Sequence, residues 1–515
     1  MSGTYREDGA SVSKASLIVF IIGLGAKGLG FLREIVFAAR FGVVNDYDVF
    51  LTASVVPLIL SVSIFYISQN FIIPFYNKTG MANDKDGSGE TLNSLLFYSI
   101  VLSVFITSVL LLFSEQFLKF YFGSSVYSDN SLALEVYTIY CILLIPNTVV
   151  SVFSGYLLAR FDYKNSQLNQ VIPTLFIILG SLFFGSVYGV RIIPFSLILG
   201  TIFQLGFLFF VVKPKLFSSL LPLNYFSGKF GDIFFYTVMI EVIGQLYVIL
   251  DRGFIDKIPD GAISSLNYAT SVFSLPITLI TVAITTVIFP KVSQDYFKGS
   301  TDNLLKHVLT SLKVNMFIML MVTYIFIYFG DTVVRLFFER GKFDSAATAM
   351  TSEILIYLTY GLLFYSLYST LNRVCYGIGK AKFLFLLTSV AIPIKWLLNY
   401  FLVGSLAQNG LALATSITYT IFFVSTLLYL SREIRFSIFS FLLKDISIIL
   451  SFLGIVSLSV NLIMGVFPVS FFTQIASLLF FLLASVGLAV IFGIEPGRFI
   501  TERLLRTLNI KFPGI

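Results

Sequence analysis

Two cysteines and a single histidine are all that 515 residues offer to disulfide, metal or imidazole chemistry. Cys141 and Cys375 both fall inside apolar runs without CxxC spacing, which gives neither a disulfide framework nor a metal site. With His307 as the only imidazole, zinc-hydrolase and Ser-His-Asp arrangements lack their parts. Charge is scarce as well, at 12% of residues against roughly 25% in an ordinary soluble domain. No long polar stretch interrupts the chain, so a soluble fold is excluded. No GxxxxGK[ST] phosphate loop occurs, and ATP hydrolysis is unsupported. Gly23-x-Gly25-x-x-Gly28 is no dinucleotide site, because no strand precedes it and no βαβ unit surrounds it.

What is present is apolar: 57% of the residues are hydrophobic. Runs of 18 or more apolar residues recur from Ser16 to Phe492, each long enough to cross about 30 Å of hydrocarbon as a helix. They predict an all-α polytopic membrane protein with fourteen transmembrane helices, the first near 16–40 and the last near 470–492. The first run continues into the second without a small-residue cleavage site, which predicts a retained span rather than a signal peptide. Most Lys and Arg fall in the connections on one side, which predicts cytoplasmic termini and accounts for the net charge of +7 without nucleic acid. The longest connection, about Val212 to Asp232, is too short to form a domain. The function is therefore performed within the membrane.

Landmarks recur at an offset of roughly 220 residues, the sign of a duplicated architecture. Pro57 answers Pro276, Lys119 answers Arg335, and Pro173 answers Pro393. The expectation is two pseudo-symmetric six-helix lobes, residues 1–220 and 221–435, with two extra helices and a cytoplasmic tail in 436–515. Two such lobes around a shared midplane site support alternating access. Pro57 and Pro276 would kink corresponding gate helices by removing a backbone hydrogen bond, or they are simply the prolines that membrane helices tolerate.

Ionisable groups inside spans are the informative ones, since each costs at least about 2.5–3.5 kcal/mol at a helix centre unless it faces protein or water. Lys27, Arg33, Glu34 and Arg40 mark the first span and its outer end, and Asp46 and Asp48 open the second. Gly23, Gly25, Gly28 and Gly30 each lower helix propensity by up to about 1 kcal/mol. They predict a bent first span with Lys27 and Arg33 facing a polar cavity. The alternative has Lys27 snorkelling to the cytoplasmic side and Arg33 pairing with Glu34 or Asp48. In the second lobe, Glu241 and Lys395 fall at similar depth, roughly 12–18 Å from the cytoplasmic ends. They form either a structural ion pair or an ion-coupling site. Asn399 lies one turn beyond Lys395 on the same face.

Several segments resemble a known family. Gly28-Leu-Gly-Phe-Leu-Arg-Glu34, Ala39-Arg-Phe-Gly42 with Asp48, and Arg335–Phe343 resemble the MurJ-type lipid II flippases of the MOP exporter superfamily. So do Ala283–Pro290 and Asn409–Thr415, and the resemblance covers nearly the whole chain. It implies a transporter of the bacterial inner membrane, without a catalytic constellation, that exports a polyprenyl-pyrophosphate-linked saccharide. By that resemblance Lys27 and Arg33 are the cations that bind pyrophosphate, and Arg40, Asp48, Pro57 and Pro276 line the gate and cavity.

Ser61 and Ser271 stand where lipid II flippases carry arginines. With those two cations absent, the expectation is a Wzx-type relative exporting an O-antigen, capsule or exopolysaccharide unit, with lipid II as the alternative. Its partners would be the lipid-linked saccharide, membrane lipids and polysaccharide polymerase machinery, with no nucleic acid. No cofactor is expected. The sodium ligands of some members fall at Glu241, Lys395, Asn399 and Thr415, where the Lys395 ammonium opposes a cation, which leaves proton coupling through Glu241 or no coupled ion. A drug/cation antiporter of the same superfamily would want carboxylates where Lys27 and Arg33 stand.

Overall fold

The computed structural model describes residues 9–78, 87–119, 131–214, 220–221, 232–434, 449–452, 454–458 and 470–491. The described chain is helical throughout, apart from short connections. The cause is the apolar sequence: in hydrocarbon no water is available to a backbone N–H or C=O, and a helix satisfies these groups within one segment. Eight described segments are long and apolar enough to cross a membrane, and nine if a bent pair counts as one span. One of the eight, Tyr163–Val212, holds two of the expected spans. Most of the expected thirteenth span, 446–466, lies outside the described residues.

The chain forms two compact units, Met1–Ser264 with Arg340–Asp344, and Ser265–Glu339 with Ser345–Ile515. The first unit contains α1 (Gly9–Phe41), α2 (Asn45–Lys78), α3 (Gly87–Leu112), α4 (Ser131–Ala159), α5 (Tyr163–Tyr188), α6 (Ile192–Val212) and α7 (Asp232–Arg252). The central helix is α4, packed against α2, α3 and α6. Phe153 and Leu208 are fully buried there, with Ile72, Leu92 and Leu96 around them. Apolar burial gives little direction between helices in lipid, so small polar residues supply it. Asn169 on α5, fully buried, accepts from Ser154 of α4 at 3.4 Å and from Gln204 of α6 at 3.0 Å.

The glycine-rich stretch of α1 does not break the helix. Its backbone is helical from Gly9 to Phe41, which corrects the expected local dismantling. The propensity cost of glycine is measured in water, where a broken turn can be solvated. In a membrane the same break would orphan backbone groups at several kcal/mol each.

The second unit takes up the body of α8 (Ala262–Pro276), followed by a π turn (Ile277–Thr281), α9 (Val282–Phe297), α10 (Thr301–Phe338), α11 (Ser345–Thr359) and α12 (Leu362–Gly377). It continues with α13 (Ala381–Leu406), α14 (Gln408–Glu433) and α15 (Phe471–Ile491). The matched prolines behave differently. The helix runs on through Pro57 in α2, whereas Pro276 is followed at once by the π turn. The end of that turn is held by a buried network: Thr281 Oγ1 bonds Asn315 Oδ1 at 3.2 Å and Ser366 Oγ at 2.6 Å, and Asn315 donates to Thr370 at 3.0 Å.

Helices α13 and α14 pack as an antiparallel pair. Lys380 Nζ meets Glu433 Oε1 at 2.7 Å where the start of α13 meets the end of α14, and that hydrogen bond holds the ammonium above its ordinary range. Helix α15 docks on α10 by a ladder of contacts: Arg335 over the Phe471 ring at 4.7 Å, Thr332 to Gln474 at 2.9 Å, and Tyr324 stacked on Phe481 at 4.2 Å.

Helices α11 and α12 are separated by a 49° bend at Thr359–Leu362, with Gly361 at its centre. The bend exists because Gly361 meets α14 directly; a Cβ there would lie 2.7 Å from Ser416 Cα. The bend frees carbonyls, and Ser416 Oγ lies 2.6 Å from Tyr357 O and 3.0 Å from Leu358 O, where its proton serves them. Ser416→Ala should therefore destabilise the protein by about 1–3 kcal/mol, the cost of leaving buried acceptors unmade. Thermal unfolding in detergent checks this. Ser405→Ala, at an exposed serine, is the control and should stay within about 0.5 kcal/mol.

Candidate functional site

On α1 the ionisable side chains take different surroundings. Lys27 is exposed and Arg33 half-buried, whereas Glu34 is buried. Seven residues bring Glu34 back to the ridge of Lys27 at about 100° per residue, while Arg33 is turned off it. The guanidinium bends back to its neighbour, with Nη2 at 2.7 Å and Nε at 3.2 Å from Glu34 Oε1, and lies 5.7 Å from the Phe37 ring centre. Of the two partners expected for Arg33, Glu34 takes it. The Arg33 side chain as a whole keeps 36% of its surface accessible, against 10% for Glu34, so the pair is not sealed on the arginine side. Arg40, in the last turn of α1, donates to Ser186 Oγ of α5 at 3.0 Å.

Asp48 is committed elsewhere. It is 2% exposed and sits at the start of α8, although it belongs to α2. Its Oδ2 accepts from Gly261 N at 2.7 Å and Ile263 N at 3.4 Å, and its Oδ1 accepts from Ser264 N and Ser264 Oγ, both at 2.6 Å. A helix leaves its first N–H groups without partners and carries partial positive charge there, so one carboxylate satisfies three backbone N–H groups, one hydroxyl and the end charge together. Arg252, itself buried, donates to Ile263 O at 3.2 Å and lies close enough to act on the same carboxylate.

A second clasp adjoins it. Lys342 N donates to Ala39 O at 2.9 Å, bringing together the Ala39–Gly42 and Arg335–Phe343 segments. Both sides require glycine. Gly42 has φ +71° and a Cβ there would lie 2.5 Å from Lys342 O; Gly341 has φ +63° and its Cβ would lie 2.2 Å from Ala39 O. Phe37, Phe41, Tyr47 and Phe50 fill the space beneath, with ring centres 5.5–6.0 Å apart.

The positions of the absent arginines are neutral and polar. Ser61 is half-buried and accepts from Asn147 Nδ2 of α4 at 3.3 Å; Ser271, also half-buried, donates to Asn267 O at 2.9 Å. Glu241 is half-buried on α7 in the first unit, and Lys395 and Asn399 are buried on α13 in the second. All three are engaged within the protein. Pro57 and Pro276 are buried.

Sequence reasoning missed Gly261–Ser264, Arg252 and Gly341. A signal was available. Asp48 and Ser264 are 216 residues apart, close to the offset of roughly 220 residues at which landmarks recur in the sequence.

Comparison with known proteins adds a family. Residues 37–481 match the family model described as lipid II flippase MurJ. The chain is 24% identical over 425 residues to the probable lipid II flippase MurJ of Borreliella burgdorferi, covering 79% of this chain and 81% of that protein. It is 26% identical over 444 residues to the lipid II flippase MurJ of Thermosipho africanus, covering 84% and 87%. Among solved structures it resembles a lipid II flippase MurJ in an inward closed conformation, with a TM-score of 0.77 at 22% identity over 92% of this chain and 98% of that one. It also resembles an inward-facing multidrug resistance MATE family transporter, with a TM-score of 0.65 at 15% identity over 81% and 98%.

These likenesses overturn the expectation of O-antigen, capsule or exopolysaccharide export, and they lend no support to a polysaccharide polymerase as partner. The matching model and the relatives are lipid II flippases. Counting cavity cations misled because it treated arginine as the one way to line a polar path. Ser61 with Asn147 and Ser271 with Asn267 keep both positions polar without charge.

The clasp makes a graded prediction. Asp48→Ala leaves the α8 N–H groups unpaired and should destabilise by about 1–3 kcal/mol, while Asp48→Asn, which keeps one acceptor oxygen, should cost less. Gly341→Ala forces a left-handed backbone into contact with Ala39 and should cost about 1–3 kcal/mol. Melting curves in detergent rank the three. Equal melting of Asp48→Ala and wild type would sink the capping role.

Proposed function

The chain belongs to the lipid II flippase MurJ family, and on that premise we propose that it moves lipid II, a polyprenyl-pyrophosphate-linked saccharide, from the cytoplasmic to the outer leaflet. It is an all-helical, multi-pass protein of the MOP superfamily. The observation that carries the reading beyond family membership is the exposed Lys27 and half-buried Arg33 on the largely apolar helix α1. Such cations are retained where they face protein, water or a charged ligand. A pyrophosphate is such a ligand, and both side chains serve as fixed counter-charges that lower its desolvation cost without crossing with it. Glu34 orients the Arg33 fork, which suits the planar, multidentate recognition of phosphate oxygens.

Both termini are assigned to the cytoplasm on the Lys and Arg asymmetry. The Asp48 and Lys342 clasps then lie at the outer ends of their helices and have to release for the headgroup to leave. The apolar α15, which exposes Phe472, Leu479 and Leu483, suits contact with lipid chains, so the tail need not leave the bilayer. The driving force assigned is electrical. Moving each negative charge outward through 100 mV is worth about 2.3 kcal/mol, so an inside-negative potential favours export of a pyrophosphate headgroup by up to roughly 4–5 kcal/mol. Sodium is not assigned a role, since the Lys395 ammonium, 3% exposed beside Asn399, already supplies a cation there. Proton coupling through Glu241 is the second reading of the coupling.

Reconstituted vesicles test this. Lipid II should flip without ATP, faster under an inside-negative potential, and at least about tenfold slower in Arg33→Ala, from loss of one charge-assisted contact worth about 1.5–3 kcal/mol. Replacing sodium by potassium should change nothing. Transport that ignored the potential while tracking a sodium gradient would overturn the mechanism.

A further inference from the structure

Within the second unit, rings from three helices meet: Phe273 of α8, Tyr365 of α12 and Tyr419 of α14. Tyr365 and Tyr419 have ring centres 4.1 Å apart, tilted by 32°. Phe273 lies 6.1 Å from Tyr419, nearly parallel at 11°, and 6.4 Å from Tyr365. Phe273 is buried at 3%, whereas the two tyrosines are only half-buried. Each ring stands beside an interruption already described. Phe273 comes three residues before Pro276 and its π turn, Tyr365 follows the Gly361 bend by one turn, and Tyr419 lies one turn beyond Ser416, which serves that bend. Interrupted membrane helices are where transporters build their sites, because irregular backbone is tolerated where it borders a cavity.

The edge of this cluster is polar. On α8, Asn267, Thr270, Ser271 and Ser274 follow helical spacing and are half-buried or exposed, and α14 adds the half-buried Thr415. A face turned to lipid looks different: α5 and α6 expose Phe183, Phe184, Phe203 and Phe210. An accessible row of amide and hydroxyl groups midway along a membrane helix is a face turned to water or a polar ligand. No charged residue occurs in α8 between Ala262 and Pro276, so this face is not built for pyrophosphate.

The hydroxyls also have a polarity. Thr270 donates to Leu266 O at 2.6 Å, Ser271 to Asn267 O at 2.9 Å, Ser274 to Ser271 O at 3.0 Å and Thr415 to Leu411 O at 2.9 Å. Each spends its one proton on its own helix, which leaves oxygen lone pairs facing outward as acceptors. Acceptors beside an aromatic face suit a ligand that is rich in O–H and N–H donors and has an apolar face. A pyranose ring has both, with donors at its rim and C–H bonds on its face.

We propose that Tyr365 and Tyr419, backed by the buried Phe273 and edged by Thr270 and Ser271, form a saccharide platform on which a pyranose of the lipid-linked substrate stacks. The proposal deepens the lipid II reading and rests on it for the substrate class. It gives the second unit a share in substrate selection different in kind from that of Lys27 and Arg33 in the first.

The test is competitive binding by native mass spectrometry, using the full chain in detergent with three probes: bare polyprenyl pyrophosphate, the same carrier bearing one hexose, and lipid II. Wild type should prefer glycosylated carriers over the bare one. Tyr419→Leu should cut that preference by about tenfold and leave bare-carrier binding unchanged, whereas Tyr419→Phe, which keeps the ring, should lose less than about threefold. Thr270→Val, at an exposed position where misfolding is not at issue, should cut the preference by a few fold and keeps the test decisive if Tyr419→Leu does not fold. Undiminished preference in the variants overturns the platform, as does equal wild-type binding of bare and glycosylated carriers. A preference that favours the hexose carrier over lipid II and falls in the variants sustains the platform and overturns the lipid II reading instead.

Discussion

The absence of water around the backbone is the condition on which the rest of this structure depends. A soluble protein can leave a broken helical turn to solvent; this chain must cover each one with a named side chain. Ser416 covers the carbonyls released at the Gly361 bend, and Asp48 covers the N–H groups that open α8. The Thr281–Asn315–Ser366 network holds the end of the π turn. Irregularity is therefore concentrated at few points, and the polar residues that serve it are themselves buried. The same condition keeps α1 helical through four glycines that would weaken it in water.

Given this condition, the division of chemistry between the units is physically reasonable. Cations are costly in a membrane and sit on α1, where Glu34 orients one of them at short range. The second unit presents an uncharged aromatic and hydroxyl face that costs less to keep there. A substrate with a charged part and a sugar part has two kinds of group to satisfy, and no single surface chemistry suits both.

Much of this was legible in the sequence. Apolar runs and their lengths gave the helices, because hydrophobic length maps directly onto membrane thickness. The motif around Ala39–Gly42 and that around Arg335–Phe343 signalled the family, and the structure joins them through Lys342 and Ala39. Pairing was harder. Asp48 reads as a charge at the opening of a span, and nothing local says that its partners lie 213 to 216 residues away. The substrate inference failed for a different reason: Ser61 and Ser271 were read as missing charges rather than as polar positions of another kind. Helix propensity misled at Gly23–Gly30 because its scale refers to water.

The return of Arg340–Asp344 to the first unit has a consequence for how the chain can be taken apart. That unit is not a continuous stretch of sequence: it needs Met1–Ser264 and also five residues delivered after α10. A fragment cut at the apparent midpoint would carry Gly42 with nothing to receive it, and the remainder would carry Gly341 with no carbonyl to meet. Reporter fusions, affinity tags and split halves joined elsewhere in the loops leave this crossing intact. Placed between α10 and α11, they would separate the molecule from a piece of its own first half.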